Sequence, residues 1–105
     1  MDGNKGLEVK KGMYSGIDAI GVVGSFDKVD TQIDVFIDEI IGQGKTDIVF
    51  DFNDTSYLTS SGIAVLIKAL RKVQNIGGTL YISNITEDMY DLLSTSSLNK
   101  FLKYI

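Results

Sequence analysis

The chain has 105 residues, 44% of them hydrophobic and 23% charged, enough for one domain around one core and too few for two. With no histidine and no cysteine, it excludes a Ser-His-Asp triad, a Cys-His pair, the usual zinc ligand sets and a disulfide framework. A net charge of −4 with scattered Lys and Arg speaks against a nucleic-acid partner, and no apolar run is long enough for membrane insertion.

Residues 1–6 read as a flexible lead-in without the apolar stretch of a secretory signal, which makes the cytoplasm the default location. Residues 7–14 and 17–24 read as two strands, with Ser15-Gly16 as the hairpin turn. Over 29–41, Val29, Ile33, Phe36, Ile37, Ile40 and Ile41 recur at helical spacing, with Asp30, Asp34, Asp38 and Glu39 on other faces. Gly42 and Gly44 end that helix, and Ile48-Val49-Phe50 within 46–52 is a short buried strand. A second helix spans 60–75 and closes at Gly77-Gly78; Thr79 to Ser83 is a strand. A third helix over 86–94 starts at Thr86, whose hydroxyl can cap it, with Glu87 and Asp88 at its positive end. Ser96, Ser97 and Leu98 open a short helical turn, and 101–105 a terminal strand. The order predicts a single α/β domain: a mostly parallel or mixed sheet of about five strands with helices packed on it.

The stretch Thr59-Ser60-Ser61-Gly62 at the mouth of the second helix raises a question of chemistry. Plain N-capping explains one hydroxyl, because a side-chain oxygen satisfies a free first-turn amide. It does not explain Gly62, which costs about 1 kcal/mol relative to alanine inside a helix and so implies close approach of another backbone. At about 100° per residue, Gly62, Val65, Leu66, Ala69, Leu70 and Val73 share the face that packs on the sheet. Ser60 lies nearly opposite, with Ile63, Ala64, Ile67 and Arg71 around it. That outer face is a candidate contact surface for a partner, unless a neighbouring helix covers it. A phosphate on Ser60 would sit where the helix dipole tolerates an anion, sparing the fold while opposing a docked partner.

At these residues the sequence resembles the STAS family, and within it the bacterial anti-sigma factor antagonists. The matching pattern is Ile48-Val49-Phe50-Asp51-Phe52, a polar loop, Tyr57-Leu58, then Thr59-Ser60-Ser61-Gly62-Ile63-Ala64-Val65-Leu66. Gly24-Ser25-Phe26-Asp27 and Gly77-Gly78-Thr79-Leu80 match two further family signatures, and the likeness covers roughly residues 7 to 105. It implies that Ser60 is a phosphoacceptor set among Asp27, Thr59, Ser61 and Gly62. The modifying partner is then an anti-sigma factor with serine-kinase activity, which holds the ATP itself. A phosphatase resets the switch, and sigma-factor-dependent transcription is what it regulates. The chain would be a substrate and binding module, with no catalysis, cofactor or metal of its own.

Two departures from the family pattern stand out. Thr59 occupies the place of the aspartate that precedes the phosphorylated serine, and the sequence stops where many relatives continue into a final helix. Thr59 sustains an alternative: an unphosphorylated interaction module of a transporter-associated or stressosome-type complex. Asp27, Asp51 and Asp54 at strand ends suggest a Mg²⁺ site of receiver type, but the acidic pair and late-strand lysine of that design are missing.

Overall fold

The protein is described by a computed structural model over residues 7–28 and 31–105. Strands β1 (Leu7–Tyr14) and β2 (Ile17–Phe26) form an antiparallel hairpin, in register from Leu7 opposite Gly24 to Tyr14 opposite Ile17. Its turn takes Ser15 and Gly16 to φ of 50° and 84°, the paired left-handed conformation of a tight hairpin. There follow α1 (Thr31–Gly42), β3 (Ile48–Asp51), β4 (Thr55–Leu58), α2 (Ser60–Asn75), β5 (Leu80–Ser83) and α3 (Glu87–Ser94). A 3₁₀ turn (Ser97–Lys100) and β6 (Leu102–Tyr104) complete the described chain. Val29 and Asp30, placed by sequence at the start of the first helix, lie outside the described residues, as do residues 1–6.

The expected α/β class and mixed sheet are present. Five strands run in the order β1-β2-β3-β5-β6, with parallel pairing from β2 onward. That path has the expected five strands, and among the described residues a sixth, β4, pairs in parallel with the C-terminal end of β2. A register shift between Gly24 and Ser25 lets β2 accept β3 on its first half and β4 on its last residues. Thr55 ties this junction, its buried hydroxyl donating to the Val22 carbonyl at 2.5 Å.

Alternation along the strands sends Ile20, Val22 and Phe26, Ile48 and Phe50, and Leu80 and Ile82 into one cluster. Ile33, Ile37 and Ile40 of α1, Leu66, Ala69 and Val73 of α2, and Met89 and Leu93 of α3 complete that cluster, so all three helices serve one core. Thr86 caps α3 as expected, accepting the Met89 amide at 3.2 Å.

A charge network staples α1 to α2. Lys68 reaches Asp34 at 3.0 Å, and Lys72 bridges Asp34 at 3.5 Å and Asp38 at 3.0 Å. Partial burial pushes the Asp34 carboxyl up, but Lys68 and Lys72 together outweigh it and hold it below the ordinary aspartate range. A depressed carboxyl contributes stability that is complete above its unfolded value and vanishes as pH falls through the folded one. Asp34→Asn therefore lowers unfolding free energy by about 0.5–1 kcal/mol at neutral pH and low salt. In urea denaturation that deficit begins to shrink as pH falls through the ordinary aspartate range and vanishes only below the depressed value of folded Asp34, where the carboxyl is neutral in both states.

Candidate functional site

The end of β2 and the entry to α2 meet at one carbonyl group. The Phe26 oxygen accepts the Thr59 amide at 3.1 Å and the Thr59 hydroxyl at 3.4 Å. Thr59 holds the N-cap position with φ −116° and ψ 176°, and its carbonyl accepts the Ile63 amide at 2.9 Å. Its hydroxyl makes no capping bond, so plain capping does not account for Thr59. That side chain fastens the helix mouth to β2 instead.

The same carbonyl explains Gly62. A Cβ at position 62 would run into the Phe26 oxygen and stand 2.7 Å from Leu58 Cδ1. The glycine is the close backbone approach that its position in the sequence demanded.

Ser60 and Ser61 open α2 with exposed side chains, and among the described residues neither hydroxyl has a hydrogen-bond partner. Asp27 follows Phe26 directly and is half buried, so the turn after β2 brings it to the end of the sheet where α2 begins. The buried stripe of α2 is the one read from periodicity: Gly62, Val65, Leu66, Ala69, Leu70 and Val73. On the outer face Ala64, Ile67 and Arg71 are exposed. Ile63 is half buried against the rim of the core, and so offers less surface than the helical projection indicates.

The sequence gives little warning of two further features. Phe101, read as the start of a strand, is a turn residue with 54% of its surface exposed, on the same groove as Ile67 and Arg71. The hydroxyls of Ser25 and Ser56, on β2 and β4, stand 3.5 Å apart. Two of the three carboxylates that suggest a Mg²⁺ site, Asp51 and Asp54, have local duties. Asp51 accepts the Asn53 amide and the Asn84 side-chain amide, both at 3.0 Å, while Asp54 accepts from the Asn53 side chain at 3.3 Å. Among the described residues no three carboxylates are grouped to hold a metal.

The model of the STAS domain matches residues 26–104. The chain belongs to the STAS family. Its fold is similar to the unphosphorylated anti-sigma factor antagonist SpoIIAA, with TM-score 0.72 and 20% identity over 93% of this chain and 88% of that one. The phosphorylated form of the Bacillus cell fate determinant SpoIIAA superposes with TM-score 0.67 and 22% identity, over 93% and 91% of the two chains. An anti-sigma factor antagonist from Mycobacterium paratuberculosis gives 0.71 and 15%, over 93% and 84%. The murine anion transporter Slc26a9 also contains the fold, with TM-score 0.58 and 16% identity over 83% of this chain and 15% of the transporter. No sequence among curated proteins matches the chain. Within this STAS domain, no helix of the described residues is long and apolar enough to cross a membrane.

Proposed function

We propose that this STAS domain is an anti-sigma factor antagonist whose phosphoacceptor is Ser60, bound by an anti-sigma factor with serine-kinase activity and reset by a phosphatase. The observation that carries this reading is the division of labour at the helix mouth. The Thr59 amide and hydroxyl fasten α2 to Phe26, whereas the Ser60 hydroxyl is exposed and holds nothing together. A phosphate placed there leaves every bond of the junction intact and meets the positive end of α2. The domain acts as substrate and docking surface, supplying no catalytic group and taking the phosphate from ATP held by the partner. Asp27, Thr59, Ser61 and Gly62 form the surroundings of the phosphosite, and Ile63, Ala64, Ile67 and Arg71 the face presented to the kinase.

The engagement of Thr59 favours a second reading. Its hydroxyl turns to the Phe26 carbonyl and it brings no charge to Ser60, which suits an unphosphorylated STAS module in a transporter-associated or stressosome-type complex. One experiment separates the two. Incubation with an anti-sigma serine kinase and ATP is expected to add one phosphate, mapped to Ser60 and absent from Ser60→Ala, and faster in Thr59→Asp. A phosphate on another residue, or none on wild type and Thr59→Asp alike, rejects the antagonist reading.

A further inference from the structure

We propose that the groove between α2 and the 3₁₀ turn docks an acidic amphipathic segment of a protein partner, with Phe101 as apolar anchor and Arg71 as the group that reads its carboxylate. The groove has a volume of about 250 Å³, with Leu70 and Leu98 buried beneath it and Ile67, Arg71 and Phe101 exposed along it. That volume lies below the roughly 300–1,000 Å³ of sites that enclose free small molecules, and it suits side chains carried by a macromolecule. Ile67 is 36% exposed and Phe101 54%, so large apolar side chains border the opening. Aromatic residues in such positions dominate the energetics of interfaces.

Charge decides the kind of partner. The sequence of α2 contains Lys68, Arg71 and Lys72 and no acidic residue, in a chain whose net charge is −4. Lys68 and Lys72 are neutralised by Asp34 and Asp38 of α1. The Arg71 guanidinium has no hydrogen-bond or ion-pair partner among the described residues. A planar fork beside an apolar groove is matched by a carboxylate, taken in two parallel hydrogen bonds, next to a buried apolar side chain.

Arg71 also shares a stripe with Ser60. Along α2 the two lie about three turns apart, roughly 16 Å along the axis and about 20° around it. A segment seated in the groove and running along that stripe reaches the helix mouth. This link to Ser60 rests on the antagonist reading; the charge preference of the groove does not.

The test titrates the ¹⁵N-labelled full chain with a synthetic helical peptide bearing Leu and Glu on one face, and with its counterpart in which Lys replaces every Glu. The Glu peptide is expected to shift amides around Ile67, Arg71, Leu98 and Phe101. Arg71→Glu and Phe101→Ala are each expected to weaken it by about tenfold, and Arg71→Glu to reverse the preference towards the Lys peptide. Equal binding of the two peptides by wild type, no binding of the Glu peptide, or shifts confined to other surfaces overturns the proposal. So does self-association through this groove in sedimentation, which would make a second copy the occupant. Should Phe101→Ala disturb the fold, the preference switch at Arg71 decides. No kinase or phosphate enters the experiment, so its failure leaves the Ser60 assignment standing, and failure of that assignment leaves this result readable.

Discussion

Gly62→Ala lowers the unfolding free energy by about 1–3 kcal/mol, although alanine ordinarily gains about 1 kcal/mol over glycine inside a helix. The added methyl group meets the Phe26 carbonyl oxygen and Leu58 Cδ1. A flexible side chain could turn aside, but this carbonyl is held by the Thr59 amide and hydroxyl. Relief therefore requires α2 to lift from β2 at the point where Ser60 is displayed. Gly42→Ala is the control, because that helical glycine has nothing within 4 Å of its virtual Cβ and no left-handed backbone. It should be neutral or stabilising by up to about 1 kcal/mol. Urea denaturation at constant m-value distinguishes the two, and a Gly62→Ala protein as stable as the control would refute the tight junction.

The features legible in the sequence are those set by local periodicity. The six buried positions of α2 recur at helical spacing, and Ser15-Gly16 marks a hairpin within its own few residues. The need for Gly62 was legible as an unexplained cost, though its cause lies in β2, far along the chain. What escaped was non-local. β4 is four residues long with Ser56 and Tyr57 both exposed, so it shows no alternation, and its pairing depends on the register shift at Gly24. The partner of the Thr59 hydroxyl is Phe26, 33 positions away, and an N-capping rule cannot see it. Phe101 is apolar and aromatic, a combination that composition assigns to a core; only the turn after the 3₁₀ helix leaves it outside. Ile63 differs in the opposite sense: helical projection puts it on the outer face, yet it is half buried against the core.

Phosphorylation of Ser60 should, in the antagonist reading, weaken binding of the anti-sigma kinase by about 2–5 kcal/mol, or roughly 30-fold to several thousandfold. Over the same step the domain's own stability should move by less than about 1 kcal/mol. The asymmetry follows from where the charge lands. In the free domain the phosphate is solvated on an exposed residue beside the first-turn amides of α2, whose dipole favours an anion. In the complex it must be stripped of water against the surface that docks on Ala64 and Ile67, and a buried charge without a partner is costly. Calorimetry of the phosphorylated and unmodified domain against the kinase measures the first quantity, and parallel urea unfolding the second. Ser60→Asp should reproduce the direction with a smaller loss, because one carboxylate carries less charge than a phosphate. Undiminished affinity of the phosphorylated domain would show that the partner docks elsewhere. A large drop in its stability would show that Ser60 belongs to the architecture of the junction rather than to its surface, and release would then be local unfolding at the mouth of α2.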